Sequence, residues 1–288
     1  MKPSLFRYAK PASLDETFDL LAHHGRGATV LAGGQSLLAG LGMRLASPDV
    51  LVDINGLKAL GGISLQGEEV VIGALTRHAE VLASPIVARH LPLVAEAITH
   101  VGHIGIRNRG TFGGSLAYAD PAAELPACAV AQGATLVLGG RAGRRRVAAE
   151  AFFTGMMETA LQTGELILEI RLPVQRPTQK HVFAELSRRH GDFALAGVAG
   201  LVSLEGHRIA EARLVYFGCV THAEIARGMS AALVGQALPL PSADALVEVL
   251  RRDLSPGDVP GMRAETKLQL AAVITRRKLN SLQETATP

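Results

Sequence analysis

The chain has 288 residues, of which 48% are hydrophobic and 19% charged, and its formal net charge at pH 7 is +3. This composition is typical of a globular protein, and the length predicts about two domains. The small net charge and the 4% aromatic content do not indicate a nucleic-acid-binding surface. The sequence has no apolar run of the roughly 18 residues that a membrane-spanning helix needs, and no apolar signal core at the N-terminus. We therefore expect a cytoplasmic protein.

The first predicted element is a helix. Ser13 and Glu16 have the spacing of a capping box, in which each side chain bonds a backbone N–H group at the helix start. Leu14, Phe18 and Leu21 then fall on one helical face. We expect the helix to begin directly after Ser13.

Residues 28–56 predict a strand, a glycine turn, a helix and a second strand. In order, these segments are "ATVLA" (28–32), "GG" (33–34), "SLLAGLGMRLA" (36–46) and "VLVDI" (50–54). Pro48 is expected to stop the helix, and Asn55-Gly56 to close the second strand.

The remaining segments predict two regions of different organisation. Residues 61–173 predict a hairpin, several helices, a second glycine-rich stretch and three further strands. Residues 174–180, with Pro177, have the composition of a linker. Three strands and then three helices are predicted after it, which indicates a separate α+β domain.

The two cysteines, Cys128 and Cys219, limit the redox chemistry of the chain. Two thiols cannot provide the four thiolates of an iron–sulfur or zinc site. A disulfide between them is one interpretation, but an intracellular chain usually keeps its thiols reduced. Because both lie in apolar sequence, we favour inert thiols in the core.

Two glycine-rich stretches, "AGGQS" (32–36) and "TFGGS" (111–115), have a composition suited to binding anions. Glycine permits positive φ and close approach of a ligand to the backbone. Successive N–H groups at a strand-to-helix turn can then bind one anion. Two such turns facing each other would suit a ligand with two linked phosphates. Neither stretch matches G-x-G-x-x-G or the P-loop pattern, and a plain tight turn stays an alternative for each.

The longer segments around these stretches carry a family resemblance. "TVLAGGQSLL" (29–38) and "IRNRGTFGGSLAYADPAAELPA" (106–127) resemble the FAD-binding medium subunit of the molybdenum hydroxylases. The similarity extends over nearly the whole chain, including "ELSRRHGDFALAGVA" (185–199) and the closing "AETKLQLAAVITRRKL" (264–279).

The resemblance implies an α+β fold with two domains. Residues 1–176 would form a two-subdomain FAD-binding domain of the vanillyl-alcohol-oxidase/PCMH type, with subdomains at about 1–57 and 58–176. Residues 177–288 would form a smaller α+β domain of the CO dehydrogenase flavoprotein type, a three-stranded sheet with helices.

The resemblance also implies which residues bind FAD. The two turns would hold the pyrophosphate, Glu124 the sugar portion, and apolar side chains the adenine or flavin ring. The implied set is Thr29, Val30, Leu31, Ala32, Gly33, Gly34, Gln35, Ser36, Thr111, Phe112, Gly113, Gly114, Ser115, Glu124, Leu161, Leu166, Ile167 and Phe193. Phe193 occupies a position often filled by tyrosine near the isoalloxazine ring; a buried structural aromatic is the other interpretation.

The implied function is that of an electron-transfer subunit. A large partner would hold the molybdenum cofactor and a small partner two [2Fe–2S] clusters, in a heterotrimer or its dimer. This chain would hold FAD and pass electrons to an external acceptor, with no catalytic acid, base or metal site of its own. The alternatives are a stand-alone FAD-dependent oxidase or reductase, and a non-catalytic nucleotide-binding scaffold.

Overall fold

The computed structural model describes residues 2–258 and 261–283. The first unit is a three-stranded parallel sheet with two helices, in the strand order β1-β3-β2. Its elements are β1 (Arg7–Ala9), α1 (Leu14–His24), β2 (Ala28–Leu31), α2 (Leu37–Gly42) and β3 (Val50–Asp53). Because the strands are parallel, the carboxyl ends of β2 and β3 lie at the same edge of the sheet.

The two helices of this unit differ in how well they were predicted. Ser13 caps α1 as expected, since its side chain accepts a hydrogen bond from the N–H group of Glu16. The prediction that α2 continues to Pro48 is wrong, because the helix ends at Gly42. Arg44 adopts a left-handed φ of +61°, and a chain in that conformation cannot continue a right-handed helix.

The second unit contains a five-stranded antiparallel sheet in the order β4-β5-β10-β6-β7. The hairpin and the three later strands are as predicted. The elements are β4 (Ile63–Gln66), β5 (Glu69–Gly73), α3 (His78–Ala83), α4 (Pro85–His90), α5 (Pro92–Ala97), α6 (Ile104–Arg107), α7 (Phe112–Tyr118), α8 (Glu124–Ala131), β6 (Thr135–Gly140), β7 (Gly143–Ala148), α9 (Ala149–Phe152), β8 (Phe153–Gly155), β9 (Glu158–Thr159) and β10 (Leu166–Pro173).

The third unit is an antiparallel sheet in the order β11-β12-β13-β14, followed by three helices. It consists of β11 (Gln179–Ser187), β12 (Ala194–Glu205), β13 (Arg208–Phe217), β14 (Glu224–Ile225), α10 (Arg227–Leu233), α11 (Asp244–Asp253) and α12 (Ala264–Ser281). The sheet has a fourth, two-residue strand beyond the three predicted. The segment "EIARGMSAALVG" (224–235) is helical in pattern from its first residue, but Glu224 and Ile225 form this strand and α10 begins only at Arg227. No helix of the described residues is long and apolar enough to cross a membrane.

The second and third units share one hydrophobic core. Helix α8 is buried along its whole length, and its Leu125 lies in the same core cluster as Phe183 of β11 and Phe217 of β13. The two phenylalanine rings stack with centroids 5.8 Å apart. Both cysteines are buried free thiols, Cys128 in α8 and Cys219 after β13, as favoured from the sequence. Burial raises the pKa of Cys219 to about 12, so the thiol stays protonated.

Glu96 of α5 links the second unit to the third through two cationic groups. Its carboxylate accepts a hydrogen bond from Lys278 of α12 at 2.8 Å and lies 3.0 Å from the Nε2 atom of His181 in β11. Burial alone would raise the pKa of Glu96, but the hydrogen bonds from His181 and Lys278 lower it below its usual value. A carboxyl group with a lowered pKa stabilises the folded state above its unfolded pKa, and this stabilisation is lost on acidification.

We expect Glu96→Gln to lower the free energy of unfolding by about 1 kcal/mol at neutral pH, because a neutral amide replaces the charge between two donors. Urea denaturation measures the difference. The difference in the free energy of unfolding should become smaller in acid, because the protonated parent carboxyl group is then as neutral as the glutamine amide. Glu248→Gln, at an exposed pair with Arg251, is the control and should cost less than about 0.5 kcal/mol. An equal cost for both variants would contradict the assignment.

Candidate functional site

The first glycine turn leaves β2 at its carboxyl end and leads into α2. Gly34 has a φ of +74°, the left-handed conformation that favours glycine. Among the described residues, no acceptor bonds the backbone N–H groups of residues 33–36. Four consecutive N–H groups without a protein acceptor are thus available at this strand-to-helix turn, and anion binding by them stays a prediction.

The second glycine turn differs from that expectation. The four N–H groups of residues 112–115 already have acceptors inside the protein: Thr76 O for Phe112 (2.9 Å), Ala74 O for Gly113 (2.9 Å), Thr111 Oγ1 for Gly114 (3.1 Å) and Thr111 O for Ser115 (3.0 Å). The expectation that this turn offers free backbone N–H groups as the first one does is therefore wrong, while contact of residues 111–115 with a diphosphate stays a prediction. Thr111 is instead the N-cap of α7, and the turn is anchored to the segment after β5.

Close packing explains three of the four glycines in these turns. A Cβ atom on Gly33 would lie 2.5 Å from Arg109 O and 2.7 Å from the Cα atom of Gly110. One on Gly113 would lie 2.6 Å from the Cβ atom of Ala74. One on Gly114 would lie 2.6 Å from Thr111 Oγ1 and 3.9 Å from the Cβ atom of Ala32. Gly33 of the first turn therefore packs against residues 109–110, directly before the second turn, and its lack of a side chain permits this approach.

The apolar residues of the predicted set lie at different depths around this contact. Leu166 at the start of β10 is buried in a core cluster against which Val30 and Ala32 also pack. Ile167 belongs to the larger core cluster shared by the second and third units, and the partly buried Leu161 packs against that cluster. The structure therefore brings Leu166 near the first turn, while Ile167 and Leu161 pack into the other core.

Phe193 lies in the loop before β12 and is 69% exposed. The interpretation of this residue as a buried structural aromatic is therefore wrong. Its loop is held close to the second unit, since a Cβ atom on Gly191 would lie 3.0 Å from the carbonyl group of Gly102. Contact of the ring with a flavin stays a prediction.

Glu124 begins α8 and is 8% exposed. Its pKa is raised to about 8, mainly by burial and in smaller part by the nearby carboxyl groups of Glu185 and Asp120. Burial also raises the pKa of Glu185 to about 7. Near neutral pH, Glu124 is therefore protonated and can donate a hydrogen bond as well as accept one.

Sequence reasoning missed two polar residues beside the turns, Asn55 and Arg77. The Nδ2 atom of Asn55 donates to Ala32 O at 2.7 Å, and Arg77 donates to both Asn55 Oδ1 and Arg109 O. Asn55-Gly56 was interpreted only as a turn closing a strand. The available signal was its place after β3, because the carboxyl ends of neighbouring parallel strands meet at one edge.

Comparison with known proteins assigns the chain to a family. Residues 4–175 match the FAD binding domain in molybdopterin dehydrogenase, and residues 181–282 match the CO dehydrogenase flavoprotein C-terminal domain. The chain is 36% identical over 284 residues to caffeine dehydrogenase subunit beta of Pseudomonas sp. (strain CBB1), covering 97% of this chain and 95% of the relative. It is 35% identical to the carbon monoxide dehydrogenase medium chain of Hydrogenophaga pseudoflava, covering 98% of each.

The solved structures agree with this assignment. A chain of quinoline 2-oxidoreductase from Pseudomonas putida 86 superposes with a TM-score of 0.92 at 35% identity, covering 99% of each chain. A chain of carbon monoxide dehydrogenase from Hydrogenophaga pseudoflava gives 0.93 at 35% identity, covering 100% of each. This chain belongs to the family of FAD-binding subunits of molybdenum hydroxylases, and the resemblance seen in its glycine stretches is confirmed.

We expect Glu124→Gln to stabilise the FAD-free chain increasingly as pH rises. Between the usual pKa of glutamate and about 8, the unfolded parent loses a proton that the folded parent keeps, so parent stability falls with pH. Glutamine has no proton to lose. Thermal unfolding should show a gain over the parent that is larger at about pH 8.5 than at about pH 5. The exposed Glu68→Gln is the control, and a gain independent of pH would refute the raised pKa.

Proposed function

We propose that residues 33–36 bind the diphosphate of FAD, and that the bound FAD passes electrons from partner iron–sulfur clusters to an external acceptor. The observation that carries the proposal is the set of four unpaired N–H groups at the first turn. Such a set is complementary to an anion with several oxygens. The second turn, which begins beside the residues that pack on Gly33, would add the hydroxyl group of the half-buried Ser115.

The other predicted residues take supporting roles in the proposal. Thr29, Val30 and Leu31 lie in β2, the strand that leads into the turn. Glu124, protonated near neutral pH, would hydrogen-bond the sugar portion, and Phe193 would lie over the isoalloxazine ring. FAD, when bound, supplies the exchange between one-electron and two-electron transfer. The chain's own part is to bind and orient the cofactor and to shield it from water.

The proposal includes partner subunits. The relatives are named as a medium chain and a subunit beta, which indicates heteromeric complexes. Cys128 and Cys219 are both buried in apolar cores, so they cannot ligate a cluster on this chain. A large subunit with the molybdenum cofactor and a small subunit with two [2Fe–2S] clusters would supply the missing centres, in a heterotrimer or its dimer. The two free thiols support a cytoplasmic location.

Flavin retention tests the proposed site. We expect Gly33→Ala to lose FAD on purification, because the added methyl group meets Arg109 O and the Cα atom of Gly110, and both are backbone atoms. The absorbance of the purified chain and its released flavin measure the occupancy. Gly40→Ala is the matched control, since a Cβ atom there meets nothing within 4 Å, and it should retain FAD.

Three results would contradict the proposal. A parent chain without flavin would favour the scaffold interpretation. Full flavin retention by Gly33→Ala would show that the diphosphate does not bind at this turn. A parent chain that turns over a small substrate without partners would favour a stand-alone flavoenzyme over an electron-transfer subunit.

A further inference from the structure

A ring of contacts joins the first unit to the second beside the two turns. Asn55, directly after β3, donates from Nδ2 to Ala32 O at 2.7 Å. Arg77, between β5 and α3, donates from Nη2 to Asn55 Oδ1 at 2.6 Å and from Nη1 to Arg109 O. Arg109 O is the atom that faces the Cα position of Gly33, where an added Cβ atom would lie 2.5 Å away. The ring therefore closes through the contact between the turns.

The orientation of the Asn55 amide is determined by its neighbours. Asp53 Oδ1 accepts from both the backbone N–H group (2.9 Å) and the Nδ2 atom (2.6 Å) of Asn55. Asp53 is 8% exposed, and its Oδ2 atom accepts from the hydroxyl group of Tyr8 at 2.5 Å. With its NH₂ group toward Asp53 and Ala32, the Asn55 amide must present its oxygen to Arg77. The amide thus bridges a carboxylate and a guanidinium group.

Arg77 is itself held in place from three directions. Its backbone N–H group donates to Glu80 Oε2 at 2.6 Å. Its backbone pairs with Thr111 as an isolated antiparallel bridge. The following residue, His78, donates its backbone N–H to Gly110 O at 3.0 Å. The guanidinium group therefore starts from a backbone that is already attached to the second turn.

The bond from Asn55 to Ala32 O has a direct effect on the first N–H donor of the turn. The carbonyl group of Ala32 and the N–H group of Gly33 belong to one planar peptide unit. Fixing the carbonyl oxygen on Asn55 therefore also fixes the direction of the Gly33 N–H group. The next unit is held in the same way, since Gln35 Nε2 donates to Gly33 O at 3.2 Å, and the one after it by the bond from the Leu38 N–H to Gly34 O at 3.0 Å.

From this arrangement we infer that Asn55 and Arg77 are positioning residues for the diphosphate, an inference that rests on the proposed function. Arg77 sets the spacing between the two turns through Arg109 O, and Asn55 aims the Gly33 N–H group before any ligand arrives. A donor set ordered in advance loses less conformational entropy on binding. Neither side chain has to touch the ligand for this effect.

Binding of ADP to the full chain freed of FAD tests the inference, because ADP carries the diphosphate without the flavin. We expect Asn55→Ala and Arg77→Ala each to weaken ADP binding by about tenfold to a hundredfold in calorimetry. The double variant should be little weaker than the weaker single variant, since both act through one chain of bonds. Guanidinium ion at low concentration should restore affinity in Arg77→Ala, beyond any effect of sodium chloride at equal ionic strength.

Arg213→Ala provides a matched control. Arg213 also donates to a backbone carbonyl group, Val130 O at 2.9 Å, and lies 3.5 Å from a carboxylate, that of Glu150. Its removal should lower stability and leave ADP affinity unchanged. Should Arg77→Ala fail to fold by circular dichroism, Asn55→Ser tests the same chain of bonds with a smaller change.

Gly33→Ala separates failure of this inference from failure of the proposed site. If Gly33→Ala loses ADP and FAD while Asn55→Ala and Arg77→Ala bind as the parent does, the positioning role is refuted and the site stands. If all three variants bind as the parent does, the site itself is refuted. Two results would show that Asn55 and Arg77 only stabilise the fold. One is an additive loss of ADP affinity in the double variant, and the other is an equal loss of ADP affinity in Arg213→Ala.

Discussion

The close approach of Gly33 to the backbone of residues 109–110 is the contact on which the rest of the site depends. A single methyl group at this position would lie 2.5 Å from a carbonyl oxygen, so the two units meet here only because the side chain is a hydrogen atom. Close packing of this kind tolerates little change in volume. The hydrogen bonds of Asn55 and Arg77 span the same junction, so contact and polar network reinforce each other.

The two glycine turns differ in whether their backbone N–H groups have acceptors inside the protein. The first keeps its N–H groups unpaired and available, while the second uses its own to attach α7 to the segment after β5. Gln35 and Ser36 are exposed and Gly34 is half-buried, so their N–H groups can bond water or a ligand from outside the fold. The second turn is instead fixed by its own hydrogen bonds inside the protein. Similar composition thus serves two different purposes.

At the junction between the second and third units, the cost of burying a charge determines the protonation states of the carboxyl groups. Glu124 and Glu185 lie where burial raises their pKa values to about 8 and about 7, and the pKa of Asp120 is raised as well. At the same junction Glu96 remains ionised because Lys278 and His181 pair with it. Glu124, which has no cationic partner among the described residues, becomes neutral near neutral pH, whereas Glu96 keeps its charge because two cationic groups pair with it.

The sequence by itself determined the local elements, the order of the units and the family. Ser13 as an N-cap, the hairpin after Gly62 and the three long strands of the third unit depend on neighbours in sequence, and so does the long glycine-rich match that identified the family. The tertiary structure alone decided which N–H groups stay free, that Phe193 is exposed, and that Asn55 and Arg77 join the turns. Those outcomes depend on atoms distant in sequence, such as Ala74 O and Arg109 O, whose approach no local pattern encodes. The early end of α2 is a local event that the sequence pattern predicts wrongly, since helical periodicity continues past the left-handed Arg44.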